Sequence, residues 1–101
     1  MARHIGDILK KRVLRQLKRA SKRLEGLRQA WDEVVPEEFR GHSGVLSVRL
    51  RTLTVWVDSS AALSELATYH REALLEALNE RLGEEGQAPV RDIRFVLEEH
   101  H

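Results

Sequence analysis

Basic residues are concentrated near the start of the chain, in the segment KKRVLRQLKRASKRL at positions 10–24. Eight of its fifteen residues are Lys or Arg, and none is acidic. Such cations suit the phosphates of a nucleic-acid backbone, which they contact without reading the bases. The alternative is the solvated face of an amphipathic helix, although such faces usually mix signs to gain ion pairs. The candidate nucleic-acid contacts in this segment are Lys11, Arg12, Arg15, Lys18, Arg19, Lys22 and Arg23.

A tryptophan and an arginine on a predicted hairpin form a second candidate contact. Apolar residues occupy even positions from 46 to 50 and odd positions from 53 to 57, which predicts two antiparallel strands. Pairing position 50 with 53 and 48 with 55 leaves Arg49 and Trp56 on the opposite, solvent-facing side. There Trp56 is expected to be partly exposed beside Arg49, where it could stack on a base, contact a partner, or lie under the arginine stem. Because neither Gly nor Asn marks the turn, we expect a four-residue loop rather than a type I′ turn.

Catalytic and metal-binding patterns are missing from the sequence. The chain has no cysteine, and His4, His42, His100 and His101 show no metal-ligand spacing. His70 lies in an apolar helical stripe and is interpreted as a hydrogen-bonded core histidine. No residue occupies a known nucleophile motif. We therefore expect a protein that is not an enzyme and that needs neither a cofactor nor a metal.

The segment GEEG at positions 83–86 matches the GxxG pattern with which KH domains clamp a nucleic-acid backbone. Its two central glutamates would repel phosphate, and it leads into a predicted strand. We interpret it as a helix stop and loop, with Gly83 as the residue that follows the helix.

The periodicity of the chain predicts the elements that position these residues. Apolar spacings of three and four predict a first helix over 7–34, ended by Val35-Pro36. A second helix is expected over 61–82, capped by Asp58-Ser59-Ser60, and a third strand around 93–97. The order is α-β-β-α-β. The predicted core contains Trp31, Val55, Leu63, Leu66, Leu74 and Phe95.

Length and composition agree with this outline. A chain of 101 residues, 42% hydrophobic and 33% charged, is expected to form one soluble domain, and no apolar run is long enough to span a membrane. Residues 1–28 carry ten basic and two acidic residues, a net charge of +8; the rest carry seven and fourteen, a net charge of −7. This asymmetry favours a contact with nucleic acid. The alternative is that the opposite charges of the two halves neutralise each other within the protein. We expect a cytoplasmic location, with a mitochondrial presequence as the rival interpretation of the basic N-terminus.

The sequence LRQAWDEVVPEEFRGHSGVLSVRLRTLTVWVDSSAALSEL, followed by LLEALNERLGEEGQAPVRDIRF, resembles the DciA family of bacterial proteins. The resemblance covers residues 24–97, and its matching positions are Trp31, Val34-Val35, His42, Val57 to Ser60, Leu78 to Gly83 and Ile93 to Phe95. It implies a KH-like α/β domain in a protein that helps load or operate the replicative helicase and contacts DNA. Three departures stand out: Pro36 replaces a frequent glycine, the hairpin lacks a glycine at its tip, and the chain stops where some members carry a disordered extension.

Together these observations predict an α+β fold, a KH-like α-β-β-α-β two-layer domain over 1–101. Residues 1–23 would form a long basic N-terminal helix and residues 24–97 the domain core. The expected function is a non-enzymatic, DNA-associated adaptor of bacterial replication that contacts the replicative helicase and binds single-stranded DNA. The alternatives are a protein-binding module that docks on an acidic partner, and an RNA-binding KH-like protein. A monomer is expected, with a coiled-coil dimer along the stripe from Val13 to Val34 as the rival.

Overall fold

The computed structural model describes residues 22–98, which form a mixed α+β domain. The first helix, α1, is described over residues 22–34 and ends before Pro36, as the sequence predicts. After a 3-10 turn at Glu37–Phe39 come β1 (Ser43–Arg49), β2 (Thr52–Val57), α2 (Ser60–Glu65), a π turn (Leu66–His70), α3 (Arg71–Glu84) and β3 (Asp92–Leu97). This is the predicted α-β-β-α-β order. The part of the predicted basic helix that precedes residue 22 lies outside the described residues.

The three strands form one sheet in the order β1-β2-β3, with β1 antiparallel to β2 and β2 parallel to β3. Leu53, Val55 and Val57 of the central strand are fully buried, while the residues between them are half-buried. This alternation shows that the helices cover one face of the sheet, because successive strand residues point to opposite faces.

The core lies between that face and the helices. The predicted core residues Trp31, Val55, Leu66 and Leu74 are buried, and Leu63 and Phe95 are partly buried against them. The rings of Trp31 and Phe95 are tilted to each other, with centroids 6.2 Å apart. The remaining buried apolar residues are Leu27, Ala30, Val35, Phe39, Val45, Leu53, Val57, Leu78, Leu82, Val90 and Ile93.

The register of the β1–β2 hairpin differs from the prediction. Val48 pairs with Leu53, and Val45 with Val55, with a bulge between Val45 and Ser47. The bulge places one extra residue, Leu46, in β1 and changes which positions face the core. Simple alternation could not reveal this, because the even-numbered apolar run continues through the bulge.

The hairpin turn also differs from the prediction. Only Leu50 and Arg51 separate the strands, with φ angles of 50° and 66°. Two positive φ values are typical of a type I′ turn, which favours Asn and Gly. Outside contacts hold the conformation: the Arg51 carbonyl accepts a hydrogen bond from the Arg91 N–H (2.7 Å), and the Arg51 Nε donates to the Pro89 carbonyl (3.2 Å).

A π turn interrupts the second predicted helix. Leu66 and Leu74 are both buried. In a regular α-helix, two side chains eight positions apart would point in directions that differ by roughly 80° around the helix axis. The wider π turn at Leu66–His70 removes much of that rotation and keeps both leucines against the sheet. At the start of α2, the Ser59 side chain accepts a hydrogen bond from the Ala62 N–H, which confirms the predicted cap.

The helix ends at Glu84, two residues beyond the predicted end at residue 82. Gly86, with φ of 70°, is the residue in the left-handed conformation. The Gln87 N–H donates to the Leu82 carbonyl (2.8 Å) and the Gly86 N–H to the Gly83 carbonyl (3.1 Å). This is a Schellman motif, which confirms that the GEEG segment ends the helix. The glycine that follows the helix is Gly86, however, and not Gly83 as predicted.

Candidate nucleic-acid interface

The predicted basic residues divide between described and undescribed parts of the chain. Lys11, Arg12, Arg15, Lys18 and Arg19 lie outside the described residues. Lys22 and Arg23 are exposed at the beginning of the described part of α1 and border a shallow cleft with Gln87 and Ala88. The structure therefore leaves these two cations accessible.

The sheet face opposite the core, termed the outer sheet face, carries the other two candidate residues. Strand pairing places on this face Gly44, Ser47 and Arg49 of β1, Thr52, Thr54 and Trp56 of β2, and Asp92, Arg94 and Val96 of β3. These nine residues are one tryptophan, two arginines, one aspartate, one valine, one glycine, one serine and two threonines. Within the described residues, neither Arg49 nor Arg94 takes part in an ion pair. Both guanidinium groups are on exposed residues.

Trp56 is half-buried, which confirms its predicted partial exposure. It pairs with Gly44, and a Cβ built on that glycine would lie 2.6 Å from the indole Nε1. The indole therefore lies across the glycine, in a space that only a residue without a side chain leaves open. This packing on Gly44 holds one side of the indole against the backbone of β1.

The prediction that Arg49 lies alongside Trp56 is wrong. Arg49 pairs with Thr52, four residues along β2 from the tryptophan, because the observed register differs from the predicted one. Arg28 and Asp32 of α1 instead line the same cleft as Trp56. The Nε of Arg28 also makes a long, 3.5 Å hydrogen bond to the Val45 carbonyl on β1. Arg28 could not be predicted from the sequence, because only the packing of α1 against β1 brings it into the cleft of Trp56.

One acidic residue on the outer sheet face is neutralised by neighbouring arginines. The Arg71 side chain donates a hydrogen bond to the Asp92 carboxylate, and this bond lowers the pKa of Asp92 below its usual 3.8. Partial desolvation opposes the shift, while the Ile93 N–H and the charges of Arg71 and Arg91 favour it. The Asp92 charge is therefore compensated at one end of β3, and among residues 22–98 no acidic side chain forms an ion pair with Arg49 or Arg94.

Several residues of the family resemblance have structural roles. The His42 Nδ1 lies 2.6 Å from the Asp58 Oδ2, and the Asp58 N–H donates to the His42 carbonyl (3.1 Å). These bonds join the loop before β1 to the residue after β2. Trp31 is fully buried, and Ser59 caps α2. These contacts give the four residues roles in holding the fold together.

The structure brings together one set of side chains that the sequence does not group. Ligand atoms of Glu38, Glu65 and His70 all lie within 4.8 Å of one another. The His70 ring also packs edge-on against Phe39, at 5.6 Å between centroids, and its Nε2 lies 3.9 Å from Glu65. The packing of the His70 ring on Phe39 accounts for its position, and both glutamates are exposed, so we assign the cluster no metal.

Comparison with known proteins agrees with the resemblance drawn from the sequence. No helix in the described part of the chain is both long and apolar enough to cross a membrane. No curated protein matches the chain. The family model described as "Dna[CI] antecedent, DciA" matches residues 4–95, which is nearly the whole chain. The chain therefore belongs to the DciA family.

Proposed function

We propose that this protein is a non-enzymatic, DNA-associated adaptor of bacterial replication. Membership of the DciA family relates it to loading of the replicative helicase. The finer proposal is that it acts in the cytoplasm, contacts the helicase directly, and binds single-stranded DNA with a KH-like domain. The observation that carries the DNA contact is the cleft shared by Trp56 and Arg28, beside a sheet face whose two arginines form no ion pair with any described residue.

The first helix connects the two candidate surfaces. Arg28 follows Lys22 by six residues, which is about 9 Å along a helix. The described end of the basic segment, Lys22 and Arg23, therefore lies less than two helical turns before Arg28 and the cleft of Trp56. In this proposal the basic side chains hold phosphates, and the indole of Trp56 stacks on a base regardless of its identity. Binding is accordingly expected to be weak and nearly indifferent to sequence.

The test is a binding assay against single-stranded DNA, duplex DNA and RNA at several salt concentrations. With about three to five phosphate contacts, each worth about −0.7, the plot of log affinity against log salt for a single strand should have a slope of about −2 to −4. A clear preference for RNA would favour the alternative of an RNA-binding KH-like protein.

A charge-neutralised variant tests the assignment of the basic segment. Replacing Arg15, Lys18, Arg19 and Lys22 by Gln should reduce affinity for single-stranded DNA by about tenfold or more at low salt. A matched control adds four glutamates at exposed neutral positions elsewhere, so that the net charge changes equally: Gln29→Glu, Ala61→Glu, Ser64→Glu and Ala73→Glu. Equal affinities for the two variants would reject the DNA contact and favour an acidic protein partner for the basic segment.

A further inference from the structure

The tip of the β1–β2 hairpin exposes a leucine that contributes nothing to the core. Leu50 is 85% exposed, more than any other large hydrophobic residue in the described part of the chain. It also has a positive φ of 50°, a left-handed conformation that L-residues with a side chain disfavour. Asn or Gly would suit this turn better and would be better solvated. Strain and exposure at one position together indicate a role for the leucine outside the fold.

Leu50 forms one wall of a groove between the hairpin tip and α1, termed the hairpin-tip groove. Its lining residues are Arg23, Leu24, Ser47, Val48, Leu50 and Arg51. Leu24 and Val48 pack against the hydrophobic core from below, which gives the groove a fixed apolar floor. The backbone bond from Arg91 to the Arg51 carbonyl holds the tip in place. Arg23 and Arg51 add a positive charge on each side.

We propose that the hairpin-tip groove binds an amphipathic helix of a protein partner, with aliphatic side chains on its floor and carboxylates against Arg23 and Arg51. The identification of this partner as the replicative helicase rests on the proposed function. An apolar floor between two cations is complementary to a helix with leucine-type residues every three or four positions and flanking acidic residues.

Two other occupants fit the groove less well. A single-stranded nucleic acid would gain most from aromatic surfaces, and no aromatic residue lines this groove among the described residues. A second copy of the chain that joined groove to groove would bring Arg23 and Arg51 against the same arginines. That contact is repulsive in a symmetric pair. A partner with carboxylates avoids this repulsion.

The experiment compares variants at position 50 for binding to the purified replicative helicase of the source bacterium. Leu50→Asn removes the apolar wall and suits the positive φ, so it should fold at least as stably as the parent while losing about tenfold to a hundredfold in affinity. Leu50→Met keeps the apolar volume and should remain within about threefold of the parent. Leu97→Thr is the matched control, because Leu97 is also an exposed leucine (44%) and lies at the opposite end of the sheet.

Each other outcome overturns the proposal in a distinguishable way. If the parent binds the helicase and Leu50→Asn binds it equally well, the groove is not the contact, although the proposed function stands. If the parent does not bind the helicase, the proposed function fails and the groove proposal fails with it. A loss of single-stranded DNA binding instead would assign the groove to nucleic acid. A dimer of the parent that Leu50→Asn dissociates in sedimentation would assign it to self-association. Should Leu50→Asn fold poorly, Arg23→Glu tests the rim separately, and unchanged helicase affinity of that variant would reject the charge pairing.

Discussion

The indole N–H of Trp31 donates a hydrogen bond to the hydroxyl of Ser43 across 3.1 Å, and both residues are buried. The Ser43 hydroxyl in turn donates to the Phe39 carbonyl at 3.0 Å. This chain of bonds connects α1, the 3-10 turn and the first residue of β1. It satisfies the polar atoms that burial of a tryptophan brings into the core, since a buried N–H without a partner would cost stability.

Substitutions at Trp31 and Ser43 should separate packing from hydrogen bonding. Trp31→Ala removes the largest buried side chain and should lower the free energy of unfolding by about 3–5 kcal/mol. Ser43→Ala leaves the indole N–H unsatisfied and should cost about 1–3 kcal/mol. In a Trp31→Phe background, which lacks the N–H, the same serine change should cost less. Urea unfolding of the four proteins of this double-mutant cycle measures the coupling, and a coupling near zero would contradict the role of the bond.

Local sequence signals were sufficient for the elements and for most of the core. The spacing of Leu24, Leu27, Trp31 and Val34 predicts the face of α1 that packs on the core, and Ser59 is recognisable as a cap. These signals are local, because helix periodicity and capping depend on residues only a few positions apart. The same signals predicted α-β-β-α-β without knowledge of any tertiary contact.

Features set by contacts between distant residues were not predictable. The type I′ turn at Leu50-Arg51 lacks the usual Asn or Gly and is held by hydrogen bonds between Arg51 and the 89–91 loop. Pro89, one of the bonded residues, is 38 positions away from Arg51 in the sequence. The bulge at Leu46 and the π turn at Leu66–His70 likewise have no local sequence pattern that would have predicted them. For the candidate site, Trp56 was identifiable from alternation, whereas its neighbour Arg28 required the packing of α1 on β1.

The strained turn gives a prediction about stability. Leu50→Asn should raise the free energy of unfolding by about 0.5–1 kcal/mol, because Asn tolerates the left-handed conformation that leucine disfavours. For a domain of this size that gain corresponds to a melting temperature higher by about 2–8 °C. Leu50→Val, whose branched side chain is least compatible with a positive φ, should be less stable than the parent. Equal melting temperatures for all three proteins would show that the turn stores no strain.

The bond between Arg71 and Asp92 gives a prediction about pH. Because the folded-state pKa of Asp92 is lowered, the carboxylate stabilises the fold above the unfolded pKa of about 3.9, and this contribution disappears as the pH falls through the lower folded value. Arg71→Gln removes the largest cause of the shift and should raise the Asp92 titration midpoint, measured by NMR of the carboxyl carbon. Arg40→Gln serves as the control, since the Arg40 side chain bonds to the Asp32 carbonyl instead. An unchanged Asp92 midpoint in Arg71→Gln would contradict the assigned cause.

The packing of the Trp56 indole on Gly44 allows the most direct test of base stacking. Trp56→Ala should weaken binding of single-stranded DNA by about 1–3 kcal/mol if the indole stacks on a base. Gly44→Ala leaves the indole in the protein but places a Cβ about 2.6 Å from its Nε1, so the ring must move. Thr54→Ala, on the same strand and face, is the matched control and should leave affinity within about threefold because a threonine offers no ring to stack on a base. Trp56→Phe retains an aromatic face and should lose less affinity than alanine does.

If Trp56→Ala and Gly44→Ala both lower the melting temperature while affinity for single-stranded DNA stays at the parental value, the indole is a structural cover for β1. In that case the arginines of the outer sheet face, without the tryptophan, would have to account for any DNA contact made there.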